Sequence, residues 1–465
     1  MLITSSKIIP KYYFNSFNFS LVIIFLFLLF KIIASYYYYY EYELNIFNLS
    51  NVFGGYIESL YNDQNFKNCN FEGQFTVFKK GTILCSYSTR MPVLPYLYYI
   101  FTFISKKYFF IAILKNILIS LIFLFCLKIF YKIFILKNPE SYYLINFSLL
   151  IIFVSPPVIK HASNISYEEG IILELLILWS LFFLQSCYFF SKHLTEKNDL
   201  APIFSTLLST IIYFTKASML LCLIISIAIS LIWLIKKKNY KIVLVIIVSI
   251  SLILSWGFRN FKKTNSFNIG SSINWVIGYY GLNNTALKIY PQIALDQIFF
   301  ADNFKLKNNN IIENKVNIDL KFENEWDNNN YYKNKSLEWV KNNPLNFIKF
   351  TFKKFYNFFI YVKKTPYSVG PIVNSEYDKY SFSQIVVFFW LLFGRLSTLL
   401  LLYLIYKNWQ KEKFLCFSII VMCAAYAAPY LIGFNYERHI TPFIIMTIFS
   451  NIVLYNAEKD IHAQN

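Results

Sequence analysis

Long apolar runs alternate with shorter polar connections along the whole of this 465-residue chain. Runs of about 20 residues are typical of helices that cross a hydrocarbon layer some 30 Å thick. A further apolar piece, Leu94 to Ser105, is too short to cross by itself, so we expect a re-entrant or interfacial helix there. The alternative is that this piece crosses and another weak segment does not. We predict an all-α polytopic membrane protein with about 10–12 transmembrane helices. The ten clearest crossings are residues 19–39, 109–131, 141–157, 170–191, 202–216, 218–235, 241–257, 383–406, 414–433 and 440–456.

The composition agrees with this class and excludes a soluble enzyme, because 57% of the residues are apolar, 21% are aromatic and only 15% are charged. The formal net charge of +19 would also suit nucleic acid. The lysines, however, lie mostly between apolar runs, where anionic lipid headgroups are the commoner partner. We therefore expect membrane lipids as partners and no nucleic acid.

The lysines also orient the chain. Lys7 and Lys11 precede the first apolar run, so the positive-inside rule places the N-terminus in the cytoplasm. The run lacks a small-residue cleavage site, so we interpret it as a retained span rather than a signal peptide. The polar loop 41–89 and the region Phe258 to Phe382 then lie outside. This arrangement predicts three parts: an N-terminal transmembrane catalytic module (1–257) that includes the first extracytoplasmic loop 41–93, an extracytoplasmic and juxtamembrane region (258–382), and C-terminal transmembrane helices with a short cytoplasmic tail (383–465).

One stretch of the second external region is amphipathic. From Phe347 to Val362, Phe and Tyr residues alternate with Lys349, Lys353 and Lys354. Such a stretch normally lies along the membrane surface. The alternative is a small domain that packs its own aromatic side chains.

The polar residues suited to chemistry gather on the predicted outer face. Carboxylates can take a proton from an acceptor or hold a metal ion, and cationic side chains suit a phosphate leaving group. For any one of these residues the alternative is that loops are polar because they are exposed to water. The candidates are Glu58, Asp63 and Arg90 in the first loop, Lys160, His161, Glu168 and Glu169 in the second, Lys216, Arg259, and Glu437, Arg438 and His439 before the last span.

Arginine is rare in this chain, which has only four among 44 basic residues: Arg90, Arg259, Arg395 and Arg438. A guanidinium group binds phosphate or carboxylate at two points, which lysine does not. The arginines outside the spans therefore favour anion binding. Arg395 lies inside a predicted span beside Gly394, where a helix–helix contact is more typical.

Cysteines and histidines carry less information. Cys69 and Cys85 share the first polar loop and would form a disulfide if that loop faces an oxidising compartment. His161 has no second histidine at metal-ligand spacing, so we predict no zinc site. No Walker loop or dinucleotide-binding glycine pattern is present, so we expect no such cofactor, and a role for a divalent metal ion stays open.

Several short segments, read in order, resemble motifs of the GT-C type polyprenyl-phosphate-dependent glycosyltransferases, the group that includes protein O-mannosyltransferases and lipid A aminoarabinose transferases. Each motif alone is weak, and the resemblance rests on six motifs in the right order. The segments are Gly55-Tyr56-Ile57-Glu58-Ser59-Leu60, Arg90-Met91-Pro92-Val93-Leu94-Pro95-Tyr96, Ser155-Pro156 with Ser166-Tyr167-Glu168-Glu169, Phe214-Thr215-Lys216-Ala217-Ser218, Ser255-Trp256-Gly257-Phe258-Arg259-Asn260, and Glu437-Arg438-His439-Ile440-Thr441-Pro442.

The resemblance implies a GT-C-like enzyme of the inverting type that moves a sugar from a polyprenyl-phosphate donor to a lipid, glycan or protein acceptor at the periplasmic face of the cytoplasmic membrane. The family's usual catalytic aspartate stands a few residues before the tyrosine matched by Tyr56, where this chain has Asn51-Val52-Phe53-Gly54. The catalytic carboxylate is then one of Glu58, Asp63, Glu168 and Glu169. The residues expected to bind the donor phosphate are Arg90, Lys216, Arg259, Arg438 and His439, and Arg90 could instead anchor its loop.

Two other functions compete with this hypothesis. An O-antigen-type polymerase or ligase shares many spans, a large external loop and external arginines, but uses polyprenyl-diphosphate donors. A lipid or solute transporter predicts repeated halves and charged residues deep in the bundle. The sequence shows no repeat, and the deep charges that stand out are Glu174 and Arg395.

Overall fold

The computed structural model describes residues 5–39, 45–48, 50–69, 85–133, 140–192, 200–290, 304–307, 310–313, 322, 324–356, 358, 382–433 and 437–462. These residues form seventeen α-helices and one short antiparallel hairpin of β1 (Phe304–Lys307) and β2 (Asn310–Glu313). The helices are α1 (Ser5–Tyr39), α2 (Ser50–Asp63), α3 (Val93–Thr102), α4 (Tyr108–Ile133), α5 (Glu140–Phe153), α6 (Pro156–Ser163), α7 (Glu169–Ser191), α8 (Leu200–Thr215), α9 (Leu220–Lys237), α10 (Tyr240–Thr264), α11 (Asn274–Tyr280), α12 (Asn284–Ile289), α13 (Glu325–Asn342), α14 (Pro344–Phe355), α15 (Phe382–Asn408), α16 (Lys413–Ile432) and α17 (Glu437–His462).

Among the described residues, eight helices are long and apolar enough to cross a membrane: α1, α4, α7, α9, α10, α15, α16 and α17. The pair α5 and α6 adds a ninth if it is one broken span, because these helices pass the same test together but are bent by 71°. The predicted class is confirmed: the chain is an all-α, multi-pass membrane protein.

The predicted crossings at 141–157 and 202–216 are not simple spans. Pro156 and Pro157 cannot donate backbone hydrogen bonds to a preceding helical turn, so α5 ends at Phe153 and α6 starts again at Pro156. Helix α8 has 16 residues and ends where Lys216 adopts an extended conformation. The short apolar piece near Leu94 forms α3, which has ten residues.

Helix α7 lies at the centre of the bundle. Every residue from 169 to 189 is buried, and α7 packs against α4, α6, α8, α16 and α17. By contrast, only 28% of the most apolar part of α10 is buried. The exposed apolar side chains of α10, among them Leu244, Ile247 and Leu252, therefore suit contact with lipid.

Outside the bundle, α11 to α14 enclose a smaller aromatic core. Its buried members include Tyr332, Trp339 and Phe350. Lys354 connects this module to the bundle, because its ammonium group donates hydrogen bonds to the carbonyl oxygens of Gly281 (3.2 Å), Ile432 (2.7 Å) and Gly433 (2.8 Å). A side chain at Gly281 would collide with Gly433, since a Cβ atom there would lie 1.6 Å from the Gly433 carbonyl oxygen.

Candidate functional site

A cavity of about 330 Å³ lies where the ends of several helices meet the small module. Its walls combine cationic, acidic and hydroxyl side chains with an apolar side. The lining residues are Thr89, Arg90, Met91, Glu168, Thr215, Lys216, Ala217, Ser218, Ser271, Ile273, Asn274, Trp275, Ile277, Gly278, Leu282, Pro429, Tyr430, Ile432, Gly433 and His439.

The first charged pair in the cavity joins two predicted site residues. Arg90, which precedes α3, donates a 2.8 Å hydrogen bond from Nη1 to Oε1 of Glu168, just before α7. The guanidinium group also stacks over the Phe53 ring at 5.4 Å. The Nε atom of Arg90 is buried and has no hydrogen-bond partner among the described residues.

The second cluster joins three elements around Glu169, in the first turn of α7. Lys216 donates a 2.6 Å hydrogen bond from Nζ to Glu169 Oε1, and His439 Nε2 lies 3.5 Å from the same oxygen. The His439 ring stacks on Tyr430 at 4.1 Å. Lys216 reaches Glu169 because α8 ends at Thr215, so the extended backbone of Lys216 turns its side chain out of the helical path.

These contacts define what the cavity can do chemically. Arg90 and Lys216 supply two positive charges to the cavity wall, Glu168 supplies a negative charge, and His439 can add a proton. Glu169 is not a lining residue, but its carboxylate contacts Lys216 and His439, which are. An anion that competes for Arg90 or Lys216 would release a carboxylate, which could then accept a proton. The same cavity can therefore hold a phosphate and provide a base.

Buried groups behind the cavity fix the position of the two glutamates. Lys115 is fully buried and donates hydrogen bonds to the carbonyl oxygens of Ala162 (2.5 Å) and Asn164 (3.0 Å). Gly170 packs directly on this segment, since a Cβ atom there would lie 1.9 Å from the Asn164 carbonyl oxygen. The loop that leads to Glu168 and Glu169 is thereby held against α4 and α7.

A second buried lysine lies deeper in the bundle. Lys31 of α1 forms an ion pair with Glu174 of α7 at 2.6 Å and a hydrogen bond with Ser120 of α4 at 2.9 Å. Glu174 and Arg395 are the deep charges expected from the sequence, whereas Lys31 and Lys115 are two further buried charges that were not predicted. The signal was present in the sequence, because a lysine in the middle of an apolar run is costly without a partner.

The first-loop motif supports the cavity rather than lining it. The Tyr56 hydroxyl lies 2.7 Å from Thr89 Oγ1 and accepts the Thr89 backbone N–H at 3.1 Å. Burial raises the pKa of Tyr56 to about 12, so the phenol keeps its proton at neutral pH. Tyr56 thus fixes the turn from which Thr89 and Arg90 enter the cavity.

Arg259 is also outside the cavity lining. Its guanidinium group donates to the carbonyl oxygens of Phe66 and Tyr87 and stacks on the Trp256 ring at 4.9 Å. Nearby, Glu325 accepts the backbone N–H groups of Tyr87 (3.0 Å) and Ser88 (3.2 Å), and burial raises the pKa of this carboxyl group. Arg259 therefore anchors the first loop in this structure, whereas Arg90 faces the cavity.

The other predicted site residues are distributed as follows. Asp63 is exposed at the end of α2 and forms an ion pair with Lys67 at 2.9 Å, and Glu58 is half-buried on α2. Neither is among the residues that line the cavity. The backbone of Arg438 belongs to α17, but its side chain lies outside the described part of the chain.

The first loop is closed by a disulfide between Cys69 and Cys85. Within the described residues, no group of three or more His, Cys, Asp or Glu side chains could hold a metal ion. Comparisons with protein-family models, with curated proteins and with solved structures find no match to this chain.

Proposed function

We propose that this protein is a membrane glycosyltransferase that moves a sugar from a polyprenyl-phosphate donor to a lipid, glycan or protein acceptor. One observation carries the proposal: four segments that resemble GT-C motifs, far apart in sequence, meet at one cavity. They contribute the lining residues Arg90, Glu168, Lys216 and His439, and Glu169, which is not itself a lining residue, pairs with Lys216 and lies 3.5 Å from His439. Charged side chains of opposite sign in a single concave site are what phosphate departure and proton removal require.

The reaction would use these residues in two roles. Arg90 and Lys216 bind the donor phosphate, and His439 adds a hydrogen bond or a charge. The bond between the anomeric carbon and the phosphate oxygen breaks, and the polyprenyl phosphate leaves as an anion. The acceptor oxygen forms the new bond to the anomeric carbon, and its proton passes to Glu168 or Glu169, which the phosphate has released from its cationic partner.

The disulfide supports an active site on the extracytoplasmic side of the cytoplasmic membrane. Disulfides persist in oxidising compartments, and Cys85 lies five residues before Arg90 in the same loop. The positive-inside orientation of the N-terminus gives the same side. The disulfide and the charge distribution therefore support a cavity on the outer side of the membrane, where a lipid-linked sugar would be used.

The size of the cavity favours a transferase over a polymerase. About 330 Å³ is at the lower end of the range for small-molecule pockets, which suits a sugar phosphate better than an oligosaccharide on a diphosphate. The buried charges Lys31, Lys115 and Glu174 are the feature that favours a transporter. Their partners are helix side chains and carbonyl oxygens of the bundle itself, as expected of structural anchors.

The test uses the purified full chain in lipid nanodiscs with a radiolabelled polyprenyl-phosphate sugar and envelope acceptors. We expect release of polyprenyl phosphate together with labelled acceptor. Loss of a general base typically lowers the rate about 10²- to 10⁴-fold, so Glu168→Gln or Glu169→Gln should do so. Glu458→Gln is the matched control, because Glu458 pairs with Lys407 at 2.5 Å between α15 and α17, away from the cavity lining.

Three results would contradict the proposal. Equal turnover in both cavity variants and the parent would exclude these carboxylates as the base. Activity only with a diphosphate-linked oligosaccharide would indicate the polymerase. Movement of the lipid-linked sugar across the membrane of proteoliposomes, without bond cleavage, would indicate the transporter.

A further inference from the structure

Helix α14 has two faces of opposite character. On one side, Phe350 and Lys354 are buried against the small module and the bundle. On the other side, Leu345, Ile348 and Phe352 are 80%, 49% and 68% exposed. At 3.6 residues per turn these three side chains, with the exposed Phe355 and Tyr356, fall within an arc of about 100°.

The level of this helix relative to the bilayer follows from its buried face. Lys354 donates to the carbonyl oxygens of Ile432 and Gly433, at the very end of the membrane-spanning helix α16. Phe358, which follows α14, is fully buried and packs on Phe443 of α17 at 5.5 Å. The C-terminal end of α14 is therefore attached where membrane spans end, at the boundary between hydrocarbon and headgroups.

Charge along one edge of the exposed face indicates the occupant. Lys349 is exposed beside the apolar arc, whereas Lys353 is half-buried and donates a hydrogen bond to the carbonyl oxygen of Leu287 at 3.4 Å. A basic edge next to large apolar side chains is the pattern of helices that sit in the interface of anionic bilayers. A protein partner would not need lysines at this level, whereas phosphate headgroups are present there in every anionic membrane.

We propose that the exposed face of α14 docks onto the surface of an anionic lipid bilayer, with Leu345, Ile348 and Phe352 in the headgroup–acyl boundary and Lys349 among the phosphates. This docking is independent of the transferase activity. It would hold the small module on the membrane, and the module contributes Trp275 and Gly278 to the cavity wall. The lipid surface would then support one wall of the site.

The test places a fluorescent, environment-sensitive label on the full chain in nanodiscs containing phosphatidylglycerol. The background replaces the free cysteines Cys126, Cys187, Cys222, Cys416 and Cys423 by alanine and keeps the disulfide. Phe352→Cys and Ile348→Cys carry the label in separate proteins. Leu337→Cys is the matched control, because Leu337 is 49% exposed on α13 of the same module.

We expect lipids with a shallow spin label to quench the probes at 348 and 352 at least about twofold more than the probe at 337. Lys349→Gln, or replacement of phosphatidylglycerol by phosphatidylcholine, should reduce that difference. Equal quenching by aqueous iodide at 337, 348 and 352 would overturn the proposal, since the face would then be in water. Protection from both quenchers at 348 and 352 would also overturn it, because protein would then cover the face.

Discussion

The ion pair between Lys216 and Glu169 offers a quantitative test of the cavity. The side chains are 17% and 5% exposed, so each charge depends on the other more than it would at a surface. Removing one partner of a buried pair costs about 3–5 kcal/mol because the remaining charge is left without compensation. His439 at 3.5 Å gives Glu169 partial compensation, so we expect Lys216→Met to lose about 3 kcal/mol of unfolding free energy.

The double variant should recover much of this loss. Lys216→Met combined with Glu169→Gln leaves no buried unpaired charge, and replacing both members of a pair can be nearly neutral. We expect the double variant to lie within about 1–2 kcal/mol of the parent, which is less than the sum of the two single losses. The pair of Lys407 and Glu458 is the control, because Lys407 is 47% exposed and water can hydrate it when its partner is removed. Glu458→Gln should therefore cost clearly less than Lys216→Met.

The assay is reversible unfolding in mixed micelles, followed by circular dichroism for the four members of the cycle and the control. Losses for the two single changes that simply add in the double variant would refute the ion pair as described. So would a Lys216→Met protein as stable as the parent.

Three further predictions concern the surroundings of the site. Gly170→Ala should destabilise the protein by about 1–3 kcal/mol through overpacking. Gly278→Ala should not, because its Cβ atom would meet the Trp275 ring at an ordinary 3.5 Å. Equal thermal stability of the two variants would refute the close approach at Gly170. The Cys69–Cys85 disulfide joins residues that are 16 positions apart. Its reduction should lower the unfolding free energy by about 3 kcal/mol, and an unchanged melting temperature with reductant would contradict this. Arg259→Gln should lower the unfolding free energy by about 2–3 kcal/mol, because charged hydrogen bonds to two carbonyl oxygens are lost. It should also speed hydrogen exchange in the first loop. A variant with normal exchange and a specific loss of donor binding would instead support Arg259 as a phosphate ligand.

The membrane class follows from the sequence because a span is a local property. Twenty apolar residues in a row must avoid water whatever they pack against. The breaks are harder to foresee: Pro156 and Pro157 interrupt a run that is apolar enough to cross in one piece. Helix α8 has 16 residues and ends where Lys216 adopts an extended conformation. In that conformation Lys216 pairs with Glu169 of α7, which is distant in sequence.

The site depends on contacts that no local pattern contains. The sequence selected both Arg90 and Arg259 as phosphate ligands, since an arginine outside a span looks the same whether it meets a ligand or a carbonyl oxygen. In the structure, Arg90 lines the cavity and Arg259 donates to carbonyl oxygens outside the lining. The same holds for Lys115, whose position inside an apolar run is visible in the sequence while its partners, the carbonyl oxygens of residues 162 and 164, are not.

The most direct measurement is an experimental structure of the full chain in nanodiscs with a short-chain polyprenyl phosphate. We expect density for the phosphate within hydrogen-bonding distance of Lys216 Nζ and Arg90, with Glu168 or Glu169 displaced from its cationic partner. Phosphate density elsewhere, with both ion pairs intact and the cavity empty, would contradict it.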